Sequence, residues 1–241
     1  YADNFGKQWD FFKKTQLDSH SGHPISENRF WKSTNWVKKD LKNKWILDVR
    51  CGAGRFAEIA LNSGAHVVAL DYSNAIDACF SNLKKHKNLY PIQGDIYNLP
   101  FKDNSFDYIY SLGVLQHTPD VEKAFSMLPR ILKNGGKICV DTYWKRLLTM
   151  LDVKYVIRPI TKRMDSNKLF LLIQNYAKSF LKLNRAVSSI PLFGKYLSRF
   201  IPIADYRGKL PLNDEQLLEW AILDTYDMLA PQYDSPQSIK T

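Results

Sequence analysis

Residues 45–55, WILDVRCGAGR, join a short apolar run to a loop holding two glycines and then to an amphipathic stretch. The run from Ile46 to Val49 reads as a buried parallel strand. In the loop, Gly52 and Gly54 provide a missing Cβ and freedom at positive φ, which a backbone needs to come close to a ligand. Phe56, Ile59 and Ala60 then share one helical face, and Gly64 sits where a left-handed helix stop is expected.

The next two apolar runs each end in an acid, Asp71 in HVVALDYS and Asp95 in YPIQGDIYNLPF. A glycine loop and two later carboxylates can serve one extended nucleoside. The loop admits the ligand, one acid takes a pair of ribose hydroxyls, and the other accepts from an exocyclic amine. Taken singly, the glycines also read as turn residues and the acids as helix caps. It is their order, each at a strand end, that argues for a site.

Further along, Ile76, Cys79, Phe80 and Leu83 recur at helical spacing over 75–85, and FDYIYSL at 106–112 is a fourth strand. Thr118-Pro119-Asp120 predicts a helix start with a capping hydroxyl, and Val121, Phe125, Leu128 and Leu132 form its expected buried face. Gly135-Gly136 is expected to end that helix before a fifth strand, KICVDTY. Strands alternating with helices predict an α/β fold, a Rossmann-like, doubly wound, mostly parallel sheet with five recognisable strands. Residues 1–44, broken at SHSGHPIS, read as a helical cap, 45–144 as the core, 145–215 as a helical insertion after the fifth strand, and 216–241 as a C-terminal segment.

Among 241 residues, 45% hydrophobic and 13% aromatic content can fill a core, which argues against wholesale disorder. No apolar run approaches the roughly 20 residues that cross a bilayer. Cys51, Cys79 and Cys139 are odd in number and widely spaced. They read as small buried hydrophobes in a reducing cytoplasm rather than as a disulfide or metal framework. The net charge of +10 is unevenly placed: Lys145 to Leu210 holds 14 Lys and Arg against three acids, while the remainder has 20 bases and 21 acids. Three uses compete for that basic segment: a lid drawing in an anionic acceptor, a peripheral membrane patch, and, ranked third, nucleic-acid binding. A solvated charged face is the plain alternative.

Residues 45–144 resemble class I S-adenosylmethionine-dependent methyltransferases, whose first strand commonly reads Asp-x-Gly-x-Gly-x-Gly. Asp48, Gly52 and Gly54 stand in that frame, and Arg50 takes the place of the first glycine. The resemblance implies S-adenosylmethionine as cofactor. Asp71 with Tyr72 would hold the ribose, Asp95 with Ile96 the adenine edge, and the stretch from Ser111 the amino-acid end. A positive φ at Arg50 would strain the backbone by roughly 1–2 kcal/mol. The dinucleotide fingerprint Gly-x-Gly-x-x-Gly fails, because positions 50 and 55 are both Arg.

SLGVLQHTPD at 111–120 resembles the loop after the fourth strand in small-molecule methyltransferases of the ubiquinone and menaquinone type. His117 in that loop is the candidate general base, with a packing role as its alternative. Asp141 and Tyr143 are candidate substrate contacts, and Arg29 a candidate partner for the cofactor carboxylate or for a surface acid. Ser111-Leu112-Gly113-Val114 has no Asn-Pro-Pro-Tyr character, which argues against methylation of DNA-base or glutamine amino groups. TQLDS, SENRF, LQHTPD and LDTYDMLAPQYDSPQ are similar to bacterial methyltransferases found with surface-polysaccharide genes. The expected reaction is therefore methyl transfer, on oxygen, to a small molecule or glycan precursor, in the cytoplasm or at its membrane surface. A catalytically impaired relative acting as a basic membrane- or RNA-binding module is the second reading. The family's sheet ends with two further strands, so the chain is expected to be a fragment or to leave a sheet edge open.

Overall fold

The computed structural model describes residues 12–145 and 152–238. The described residues fall into two compact units, one of 12–144 with 233–238 and one of 145 with 152–232. The first holds a five-stranded sheet: β1 (Trp45–Val49), β2 (His66–Asp71), β3 (Leu89–Gln93), β4 (Phe106–Leu112) and β5 (Leu132–Asp141). The order is β3-β2-β1-β4-β5 and every neighbouring pair is parallel. The order reverses beside β1, so the crevice beyond the carboxyl ends of β1 and β4 is where a ligand is expected in such a sheet.

Successive side chains leave a strand on opposite faces, and both faces here are covered. Ile46, Val67 and Ala69 face a core with Phe30, Trp36, Phe56 and Tyr110. Leu47, Val68 and Leu70 face a second core with Leu115, Leu128 and Ile131. Helices α1 (Asp18–Ser21), α2 (Ile25–Thr34), α3 (Arg55–Asn62), α4 (Ala75–Leu83) and α5 (Val121–Ser126) complete this unit within the described residues. Gly64 adopts the left-handed stop, at φ 82.

Three local expectations change. Thr118 does not cap α5, since its hydroxyl donates to Leu115 O at 2.6 Å; the cap is Asp120, which accepts from Lys123 N at 3.0 Å. Phe125 and Phe80 are about half exposed, at 45% and 52%. α5 is only six residues long and buries Ala124, with Leu128 filling the core just beyond it. The two glycines lie inside β5 rather than after a helix: the register with β4 slips between Phe106↔Leu132 and Tyr108↔Lys137, and Gly135 takes φ 76 in the bulge.

The N-terminal cap is held by a chain of carboxylates. Glu58 of α3, fully buried, accepts from Asp18 N at 3.0 Å and Ser19 N at 3.3 Å. Asp18 in turn accepts from Ser26 N and Glu27 N, both at 2.8 Å, at the start of α2. Each acid supplies acceptors to otherwise orphaned helix-terminal N–H groups.

The second unit is helical: α6 (Val153–Thr161), α7 (Ser166–Ser188), α8 (Gly194–Leu197) and α9 (Asp214–Leu229). α7 is amphipathic, burying Leu169, Phe170, Ile173 and Ala177. Pro159 lies within α6.

Candidate active site

The glycine loop leaves β1 after Val49 and enters α3 through Gly54. Gly52 and Gly54 have φ 54 and 92, and Arg50 is also left-handed at φ 62. Three such residues in five fold the chain sharply over the carboxyl end of the sheet. A Cβ on Gly54 would lie 2.6 Å from Leu83 Cδ1 and 3.0 Å from Cys79 Sγ, so this glycine also lets α4 pack against the loop. Arg50 accepts the strained backbone in the place where the resemblance puts glycine.

Asp71 is turned towards this loop. Its Oδ2 accepts from Gly52 N at 3.0 Å, and its Oδ1 accepts from Ser73 N at 2.9 Å and Ser73 Oγ at 2.8 Å. A carboxylate offers about four acceptor positions, so one remains on Oδ2 for a ligand hydroxyl. That is less than the two-hydroxyl grip expected from the sequence, because Asp71 first organises the loop. Tyr72 beside it is exposed. Gly94 N donates to Asp71 O at 2.9 Å, which sets Asp95 one residue past the tied ends of β2 and β3. Asp95 is half-buried and accepts from Tyr97 N at 3.0 Å through Oδ1. The Ile96 side chain packs in the core with Leu47 and Leu70, so its main chain alone is left for a ligand.

Asp48 is enclosed at the end of β1 on the same face as Tyr110. Burial pushes its carboxyl up to about 8; the Tyr110 hydroxyl opposes this and the Asp71 charge adds to it. Cys51, buried in the same loop, is raised well above the usual thiol range by burial and by Cys79 beside it, so it is not a nucleophile near neutral pH.

At the end of β4, the Ser111 hydroxyl is fully buried and donates to Val49 O at 3.2 Å. It ties β4 to β1, and the main chain of the following residues faces the crevice in its place. Gly113 has φ 75, and its N–H donates to Asp141 Oδ1 at the end of β5. Asp141 Oδ2 pairs with Arg29 at 3.2 Å, and that guanidinium lies 3.0 Å from where a Gly113 Cβ would stand. Arg29 thus reaches the end of β4 from the cap and is ion-paired there with Asp141.

His117 is buried in a turn of 3-10 helix over Leu115–His117. Its Nδ1 lies 3.0 Å from Tyr233 O, and its ring meets Tyr143 edge-on at 5.8 Å. A carbonyl only accepts, so Nδ1 carries the proton, and in the neutral ring the lone pair is on Nε2. Next to it, Gln116 is fully buried with neither side-chain amide atom hydrogen-bonded. Nothing in the sequence marked this residue.

A family model described as a methyltransferase domain matches residues 47–140. The chain carries a class I S-adenosylmethionine-dependent methyltransferase domain. Its curated relatives include the demethylmenaquinone methyltransferase of Staphylococcus haemolyticus, 38% identical over 49% of this chain and 52% of that one. Phosphoethanolamine N-methyltransferase 2 of Caenorhabditis elegans is 38% identical over 42% of this chain and 24% of that one. The chain thus spans about half, or less, of the length of these relatives. A solved structure of a candidate sarcosine dimethylglycine methyltransferase from Galdieria sulphuraria shares the fold, with a TM-score of 0.50 at 15% identity over 73% of this chain and 77% of that one. In this methyltransferase domain the residues fit an S-adenosylmethionine site: acceptors at Asp71 and Asp95, a glycine loop, and a cation at Arg29 suited to a carboxylate.

Proposed function

We propose that the chain transfers the methyl group of S-adenosylmethionine to an oxygen of a small-molecule or glycan-precursor acceptor. The bound cofactor supplies an electrophilic methyl on a sulfonium, so the protein's task is to bind, align and remove one proton. Asp71 Oδ2 would hold a ribose hydroxyl with Tyr72 alongside, Asp95 would accept a hydrogen bond from the adenine amine, and Arg29 with the Gly113 loop would meet the cofactor carboxylate. His117 takes the acceptor's proton at Nε2 while Nδ1–H stays on Tyr233 O. That anchor carries the reading, because it fixes which nitrogen can act as base. The likeness of the SENRF and LQHTPD stretches to methyltransferases of surface-polysaccharide gene groups supports the glycan class.

A screen of nucleotide sugars, amines and quinones with a labelled methyl donor tests the acceptor. Label in the sugar fraction supports it, and label only in amine or quinone acceptors contradicts it. Replacing His117 by Ala should lower kcat by about 10²–10⁴-fold with S-adenosylhomocysteine affinity unchanged. Affinity falling with rate would mean that the ring only holds its loop. Arg50 at φ 62 favours a second reading, a relative that keeps the cofactor fold without turnover. Cofactor binding with no methylation of any acceptor would select it.

A further inference from the structure

The basic segment carries an exposed apolar and basic surface outside the residues of the candidate site. α7 ends at Ser188, and the chain reverses through Ser189–Phe193 into α8. The reversal is fixed: Phe193 N donates to Pro191 O at 2.8 Å and Gly194 N to Ile190 O at 3.0 Å. Gly194 is packed so closely on the end of α7 that a Cβ would meet the Val187 carbonyl oxygen and lie 2.9 Å from that of Ser188. At the tip, Leu192 is held at φ 65, a region that L-residues enter at a cost, and it is 87% exposed. Phe193, Tyr196 and Phe200 are exposed by 66%, 66% and 62%, and Ile190 and Leu197 by nearly half. Just beyond, Ile201 and Ile203 turn inward against Ala177 and Ala221, so this exposed apolar stretch ends at Phe200.

Along the chain the charge here has one sign, and the acid that follows, Asp205, accepts a hydrogen bond from Asn184 and is ion-paired with Arg207. Residues 166–204 hold six Lys and Arg and no Asp or Glu. Lys182, Arg185, Lys195 and Arg199 are all exposed. None of the four has an ion-pair partner among the described residues. A second copy of this face would bring like charges together without an acid to offset them, which disfavours self-association. A nucleic acid would meet the bases but leave Leu192, Ile190 and Leu197 in water. An anionic bilayer meets both needs, with headgroups for the cations and acyl chains for the apolar tip. No described helix is long and apolar enough to cross a membrane, so such contact would lie along the surface.

We infer that residues 190–200 dock on an anionic lipid surface, with Leu192 and Phe193 entering the acyl boundary. The test is sedimentation of the full chain with vesicles of phosphatidylcholine, with and without phosphatidylglycerol. Binding is expected only with phosphatidylglycerol, weakening as salt rises. Leu192→Ser with Phe193→Ser should lower the partition coefficient by about 100-fold. Lys195→Ala with Arg199→Ala should lower it by about 30-fold. These side chains are exposed, so an unchanged urea midpoint confirms that the variants fold. Equal binding to both vesicle types, no binding, or binding indifferent to the first pair overturns the inference. So does a dimer dissolved by Leu192→Ser/Phe193→Ser, or single-stranded RNA binding tighter than vesicles and surviving that change.

Discussion

The buried carboxyl at the end of β1 makes a pH signature that a stability measurement can isolate. Asp48 would titrate at 3.8 in an unfolded chain, whereas in the fold burial holds it at about 8. Below 3.8 both states keep the proton and the group contributes no difference. Between 3.8 and about 8 the folded state binds the extra proton, so stability falls as pH rises, by up to about 1.4 kcal/mol per pH unit. The loss reaches on the order of 5 kcal/mol and then levels off above the folded pKa. Asp48→Asn keeps the side chain's shape and cannot ionise. Urea unfolding of both proteins at fixed ionic strength, from pH 4 to 9, should show the variant level with or below the parent at pH 4. It should be more stable by several kcal/mol at pH 8. A gap that stays constant across that range would refute the reasoning, because it would mean that Asp48 is ionised in the fold throughout.

Two further outcomes follow from packing. Gly54→Ala should destabilise by about 3 kcal/mol, from left-handed strain and from the 2.6 Å approach to Leu83 Cδ1. Adding Leu83→Ala should cost less than the sum of the two changes, checked by a double-mutant cycle in urea. Glu58→Ala removes the acceptor for two N–H groups and should cost about 2 kcal/mol. It should also hasten tryptic cleavage at Lys14 at temperatures where the sheet stays folded; an unchanged cleavage rate would mean that the cap does not depend on this carboxylate.

The sheet was legible because its signals are local. Asp48 and His66 apart, Ile46–Val49 and His66–Leu70 are apolar along their length, as parallel strands covered on both faces require. The glycine loop and its two acids were legible as an order of residue types. Their individual tasks were less so. Gly54 packs α4 as well as opening the loop, which depends on Leu83, 29 residues away. Asp71 organises Gly52 before it can serve a ligand, and Ser111 ties two strands together. Helical spacing placed Phe80 and Phe125 inward, but spacing cannot report that a helix ends after six residues or that its outer face meets water. The anchor of His117 lies 116 positions downstream on a main-chain carbonyl, and any residue type can supply one of those. Gln116 looks ordinary in sequence and becomes notable only once both its amide atoms are enclosed without partners.

The claim beneath this account is that the crevice beyond β1 and β4 holds S-adenosylmethionine. Isothermal titration of the chain with S-adenosylhomocysteine tests it most directly. The account predicts saturable binding in the micromolar range, weakened about tenfold or more by Asp95→Ala or Arg29→Ala, with the urea midpoints of those variants retained. No heat from the unaltered protein, or binding indifferent to both changes, would contradict it.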